Sequence, residues 1–205
     1  MKTVSINNFT YPIVETFHSI QGEGAWTGVN ALFIRLAGCD VGCPWCDQKE
    51  SWSAKGYTRR SIPELTLSAR QSNPAIVVIT GGEPLLHDLN PLTKELKSLG
   101  LRIHLETSGA HRFTGCFDWV TFSPKPYKSP HESIYAQASE LKVVIDDEQD
   151  LQWAEIQGQK VGAGVVKYLQ PQWTNPRSQE LVFDYVLGHP DWRVSLQTHK
   201  FLGVR

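Results

Sequence analysis

No run of apolar residues in this 205-residue chain is long enough to span a bilayer. There is no internal repeat and no low-complexity tract. Charge of one sign is also missing: 20 Lys and Arg stand against 21 Asp and Glu, a net charge of −1. That excludes the broad positive field that nucleic-acid binding needs, so neither nucleic acid nor membrane is expected as a partner. The opening "MKTVSINNFTYPIVE" has no continuous apolar segment and no signal-peptide shape, so a cytoplasmic location is expected. Cysteine is scarce, with four in the chain. In a reducing compartment these are poor candidates for a structural disulfide and better ones for a metal or redox site. Apolar residues make up 40% and charged residues 20%, an ordinary globular balance able to bury a core. The length suits one domain over 1–205. Seven Trp are scattered, as core or pocket-wall packing would have them.

Short β-branched and aromatic runs predict strands at 31–38, 75–80, 101–106, 119–123, 141–145, 164–170 and 193–197. Helices are predicted between them. "SIPELTLSARQ" (61–71) has Ser61 as N-cap with Glu64 three residues on, the capping-box pattern. "NPLTKELKSLG" (90–100), "DDEQDLQWAEIQG" (146–158) and "NPRSQELVFDYVLGH" (175–189) carry Pro or acidic residues at the start and Gly near the end. Strand and helix alternate, which predicts an α/β fold with a mainly parallel sheet. About six such units are too few for an eight-fold barrel, leaving a partial, open TIM-like barrel or a doubly wound sheet. In both, function sits at the carboxyl ends of strands. Five motif-like loops fall there: the cysteine loop, "GGEP", "ETSG", "SPK" and "QPQW".

Cys39, Cys43 and Cys46 lie in "GCDVGCPWCDQKESW", spaced C-x3-C-x2-C. Buried apolar thiols would show strand alternation, and this Gly/Pro-containing loop shows none. Structural zinc wants a fourth ligand, and neither Cys116 nor any His is recommended by spacing. A 4Fe-4S cubane held by three thiolates keeps one iron open, as a reactive centre requires. Cys116 by its bland reading is a lone core thiol.

The spacing, with Trp45 before the third cysteine and "TGGEP" (Thr80–Pro84) after the next strand, resembles the radical S-adenosylmethionine (SAM) superfamily. The resemblance implies a 4Fe-4S cluster on three cysteines, with SAM on the fourth iron. The protein then supplies orientation and a dry pocket for the cofactor's chemistry. The glycines of "TGGEP" are expected to let backbone approach a ligand. Adding "SIQGEGAWTGVNALFIRLAGCDVGCPWCD" (19–47), "ETSG", "SPK", "QPQ" and "LQTHKFLGVR", the chain resembles the 7-carboxy-7-deazaguanine synthase family nearly end to end.

That resemblance implies conversion of 6-carboxy-5,6,7,8-tetrahydropterin to 7-carboxy-7-deazaguanine and ammonia, by hydrogen abstraction at C6 and ring contraction, in queuosine biosynthesis. It also implies a homodimer, an electron donor such as flavodoxin or ferredoxin, and Mg2+. By residue, it places Ile20, Gln21, Gly22, Arg35 and Thr80 at the pterin. Trp45, Cys46, Asp47, Gly82, Ser108, Ser123, Pro124, Lys125, Gln170, Pro171, Gln172 and Trp173 fall at SAM. Arg35 lies in an apolar strand and needs an anionic partner; a substrate carboxylate is preferred over an internal Asp or Glu. Gly22, Gly24 and Gly28 mimic a dinucleotide fingerprint, but they precede the strand and the third is one residue late, so the bland reading is a flexible turn. His104 and Glu106 receive no catalytic role, and His104 is read as a satisfied core residue.

The chain departs from the family twice. Gln48 follows Cys46-Asp47 where the family has a magnesium-binding Thr or Ser; its amide either replaces that hydroxyl or crowds the metal out. The chain ends in Arg205 and not in proline. A glycyl-radical-enzyme activating enzyme shares the cysteines and "GGEP" but gives no reason for "QGEG" or Arg35. A zinc-binding module is the non-catalytic alternative.

Overall fold

The computed structural model describes residues 9–205. Residues 1–8, over which part of the signal-peptide reading runs, lie outside the described residues. The elements in order are β1 (Thr10–Ile20), β2 (Asn30–Leu36), β3 (Arg59–Ser61), α1 (Ile62–Ser72), β4 (Ile76–Gly81), α2 (Asn90–Ser98), β5 (Ile103–Thr107), β6 (Trp119–Phe122), β7 (Glu140–Ile145), α3 (Glu148–Gly158), β8 (Val166–Pro171), α4 (Pro176–Gly188), β9 (Trp192–Val194) and α5 (Thr198–Leu202). No described helix is long and apolar enough to cross a membrane.

All strands join one sheet in the order β3-β1-β2-β4-β5-β6-β7-β8-β9. From β2 to β9 every pairing is parallel, while β1 runs antiparallel to both β2 and β3. The expectation of about six strands is therefore short: the seven predicted strands are all present, and β1 and β3 extend the sheet to nine. The strict strand–helix alternation also fails, because β5, β6 and β7 follow one another without an intervening α-helix. The cap signals held. Ser61 and Glu64 form the capping box of α1, Asp147 and Asp150 that of α3, and Asn175 accepts from Arg177 N–H at the start of α4.

The sheet's two faces follow the period of two. Leu32, Ile34, Leu36, Val77, Ile79, Ile103 and Leu105 point into the main core, which α1 to α4 complete with Leu65, Leu92, Leu96, Leu151 and Val182. Ala31, Phe33, Ile76 and Val78 point the other way, against Phe17, Trp26 and Val29. One residue pair further along that second face the character changes. Arg35 and Thr80 are register partners there, and Glu106, Lys142 and Gln170 occupy the same face near the carboxyl ends of β5, β7 and β8.

The sheet curls around this face without closing by strand pairing. Its ends are bridged by the loop after β1: Gly24 N–H donates to Ser195 Oγ at 3.0 Å, Ala25 N–H to Glu140 at 2.9 Å, and Thr198 N–H to Gly22 O at 2.9 Å. The "QGEG" segment is thus a docked strap and not a flexible turn. A Cβ at Gly22 would overlap the His199 ring, and Gly24, at φ +64°, lies against the Glu140 carboxylate. The architecture is a partial, incomplete TIM-like β/α barrel.

Candidate active site

Two adjoining cavities open at the carboxyl ends of the parallel strands. The first holds the sulfurs: Cys39, Cys43 and Cys46 line it with Trp45, Gly82, Ser108, Ser123, Lys125 and the Gln170–Trp173 loop. The second is lined by Ile20, Gln21 and Gly22. Arg35, Asp47, Gln48, Thr80, Glu23, Glu106, Gln197 and Lys200 line both. Of the residues marked from sequence, Pro124 is buried beside the site and lines neither cavity.

The cysteine loop is held from below. Gly38 N–H donates to Ser51 O at 2.7 Å, and Cys39 N–H to Trp52 O at 3.0 Å. Gln48 N–H donates to Cys46 Sγ at 3.3 Å, which ties the sulfur to the start of the next turn. Burial pushes the free Cys43 thiol up to about 11 against the opposing charge of Lys125, and raises Cys39 as well. Such thiols ionise when a metal replaces their protons. Among the described residues no three His, Cys, Asp or Glu side chains converge in the manner of a single-ion site. A cubane does not require that convergence, since each thiolate binds a different iron. Three thiols lining one cavity, without a fourth protein ligand beside them among the described residues, suit a cluster held by three thiolates better than four-coordinate zinc.

"GGEP" has a packing part as well as its place in the cavity wall. A Cβ at Gly81, φ +147°, would overlap the backbone of Leu36, and one at Gly82 the carbonyl of Gly38. Gly81 admits the end of β2 and Gly82 the cysteine loop, and both also line the sulfur cavity. Glu83, 1% exposed, ties the next loop down. It accepts from Thr107 Oγ1 at 2.5 Å, from Ser108 N–H at 2.8 Å and from the Ser108 hydroxyl. The "GGEP" and "ETSG" loops are therefore one hydrogen-bonded unit. Lys125 is no surface lysine: its ammonium donates to the Ser123 carbonyl and hydroxyl at 2.6 Å and sits 5.8 Å over the Trp45 ring.

Between the cavities lies a buried ionic cluster. The Lys142 side chain, 4% exposed, reaches Glu23 at 2.5 Å and Glu106 at 2.9 Å. Burial alone would lower the lysine; the two carboxylates reverse this and raise it. Burial works against the charge on Glu23 too, but Lys142 holds it down at about 2. Glu106 is raised by burial and by Glu23, so the shared cation serves Glu23 first. Gln21 donates to Glu106 at 3.0 Å and Gln197 to Glu23 at 2.7 Å. Arg35 has its internal partner after all: its Nε lies 3.0 Å from Glu15. That contact uses one edge of the guanidinium fork and leaves its terminal nitrogens for a second carboxylate.

Sequence reading passed over Glu23, Glu83, Lys142, Gln197 and Lys200. Lys142 carried a usable signal, because a lysine inside "LKVVI" raises the same question as Arg35 inside "LFIRLAG". Cys116 is exposed in the turn before β6, and lines neither cavity, so it is neither a core thiol nor a fourth ligand. His104 is buried as expected but not satisfied, since its Nε2 has no hydrogen-bond partner.

The pattern of the Radical SAM superfamily matches residues 33–113. A 7-carboxy-7-deazaguanine synthase of Synechocystis sp. is 58% identical over 96% of this chain and 94% of its own length. The synthase of the same name from Escherichia coli K12 is 36% identical over 95% of this chain and 99% of its own. The chain belongs to the 7-carboxy-7-deazaguanine synthase family. The crystal structure of QueE from Escherichia coli agrees, with a TM-score of 0.85 at 32% identity, covering 96% of this chain and all of that one. As a radical SAM family member the chain is a carbon–nitrogen lyase of 7-deazapurine biosynthesis that works with a 4Fe-4S cluster and SAM. Its relatives leave no support for the glycyl-radical activating or zinc-module readings.

Proposed function

We propose that this chain converts 6-carboxy-5,6,7,8-tetrahydropterin to 7-carboxy-7-deazaguanine and ammonia as a single cytoplasmic domain, paired as a homodimer and reduced by a flavodoxin or ferredoxin. The observation that carries the reading is the sharing of one wall between a sulfur-lined cavity and a cavity lined by Gln21, Arg35 and Thr80. Cys39, Cys43 and Cys46 would hold the cluster, and Gly82, Ser108, Ser123, Lys125 and Gln170–Trp173 the SAM. When bound, these groups supply a carbon-centred radical able to take hydrogen from an unactivated position.

The chain's own residues bind, orient and keep water out. The terminal nitrogens of Arg35 suit a carboxylate in bidentate geometry. A pterin presents adjacent N–H donors on its pyrimidine edge, and Glu106 is a half-buried acceptor on the wall the two cavities share. Lys142 keeps the Glu23–Glu106 pair in place, so the acceptor is positioned before substrate arrives. Trp173, in the lining of the sulfur cavity, packs edge to face with Phe201 at 5.1 Å.

Anaerobic reconstitution with iron and sulfide, followed by SAM, reductant and the carboxytetrahydropterin, tests the proposal. The expected product is 7-carboxy-7-deazaguanine, identified by mass. A protein carrying a full cluster that forms none would overturn it.

A further inference from the structure

Resemblance to the synthases brings with it a magnesium ion, held by a hydroxyl directly after the Cys-Asp pair. The residues of this chain do not fit that ion. Mg2+ demands near-octahedral oxygen ligands at short distance. Gln48 stands at the hydroxyl's place with its backbone committed on both sides. Its N–H goes to Cys46 Sγ, and its carbonyl accepts from Ser51 N–H at 2.9 Å and Ser51 Oγ at 2.6 Å. The amide oxygen therefore springs from a fixed point on a longer stem than a Thr hydroxyl would have. Ser51, the nearest hydroxyl in the loop, is 1% exposed and turned to that carbonyl.

A cation already stands beside this position. Lys200 Nζ lies 3.0 Å from Asp47 Oδ2 and 3.0 Å from Gln197 Oε1, and 5.2 Å from the Trp173 ring centroid. Lys200, Asp47, Gln48 and Arg35 face the same cavity. A divalent ion at Asp47 would meet a resident ammonium, and like charges in a partly desolvated site repel strongly. An ammonium has three donors. Two are used, and the third is available to an anion in the cavity.

We infer that Lys200 is this chain's resident cation for the substrate carboxylate, acting with Arg35, and that the enzyme needs no magnesium. The inference builds on the synthase reading. A protein-borne ammonium does the charge-neutralising part of the ion's work, and its tether to Asp47 fixes it to the loop that carries the cluster cysteines.

Reconstituted enzyme freed of divalent ions on chelating resin, then assayed with and without added Mg2+, tests this. Binding of the carboxytetrahydropterin is followed by equilibrium dialysis in the same buffers, and Mn2+ binding by electron paramagnetic resonance. Turnover and pterin binding should be unchanged by Mg2+, and no stoichiometric Mn2+ should bind alongside the pterin. Lys200→Met should raise KM by roughly ten-fold or more, the size of one charge-assisted hydrogen bond, with kcat less affected. Lys200→Arg should restore most of that loss. A tetrahydropterin lacking the carboxylate should bind wild type and Lys200→Met alike, which a merely structural role for Lys200 would not produce. Product formation that requires Mg2+, or equal binding of the carboxylated pterin by wild type and Lys200→Met, overturns the inference while the synthase reading stands. No product under any metal condition from cluster-replete protein overturns that reading, and this inference with it.

Discussion

Glu140 and His104 are buried side by side in kind, at 1% and 2% exposure, and burial moves them in opposite directions. Burial raises Glu140 to about 7 against the pull of Lys142. Burial lowers His104 to about 4. Between its ordinary 4.5 and about 7, Glu140 keeps in the folded state a proton that the unfolded chain has released, so its contribution to stability falls as pH rises. Between 6.5 and about 4, His104 refuses in the folded state a proton that the unfolded chain takes up, so its contribution falls as pH falls. Each effect is worth at most about 3 kcal/mol, and over the shared window they oppose one another. Glu140→Gln keeps an acceptor for Ala25 N–H and removes one side of the balance. Urea unfolding of this variant should therefore show stability dropping by about 2–3 kcal/mol from pH 6.5 to pH 4 relative to wild type. Parallel curves for the two proteins would mean that Glu140 does not titrate in this window. Neither shift is visible in sequence, because it depends on which face of a strand is covered by Trp26 and the strap.

At the scale of elements, the end of β4 and the cysteine loop behave as one body. Glu83 N–H donates to Gly38 O at 2.7 Å, Gly82 N–H to Leu36 O at 2.9 Å, and there is no room for a Cβ at Gly81 or Gly82. Gly82→Ala must push Gly38 and Cys39 outward, since the obstructing atoms include backbone and cannot rotate away. The expected outcome is a lower iron content after reconstitution with an unchanged far-ultraviolet spectrum. Full iron loading in this variant would show that the loop's position does not depend on the glycine. The parallel strands were legible because most carry a short β-branched or aromatic apolar run, clearest in the centrally placed and largely buried "IVVIT". β1 was not, because "TYPIVETFHSI" mixes Pro12, Glu15 and His18 into a strand whose second half is only partly buried. α5 spans five residues, too few to show a helical period. The site residues were legible where a motif names them; Lys200 and Gln197 were not, because their role comes from a chain end folded back across the sheet.

For the molecule as a whole, the decisive feature is how an open sheet shelters a site. Among the described strands β3 and β9 are its edges, and no ladder joins them. Closure is carried by the strap at Gln21–Gly28 and by the segment after β9. Gly22 O accepts both the N–H and the hydroxyl of Thr198, at 2.9 and 3.0 Å. Gln197 reaches Glu23 and Lys200 reaches Asp47 from the same segment. The main core lies on the other face of the sheet, under α1 to α4, and contains none of these contacts. Fold stability and site closure are therefore separable. Gly22→Ala is the variant that separates them, because the new methyl would overlap the ring and Cβ of His199 and so displace α5. It should change global stability by no more than about 1 kcal/mol, since the burial that dominates stability is untouched. It should leave iron content and uncoupled reductive cleavage of SAM near wild type. KM for the carboxytetrahydropterin should rise by roughly ten-fold or more, because Gln197 and Lys200 move away with the helix. If KM stays at the wild-type value while His199 is shown to have moved, closure by α5 has no part in holding the pterin.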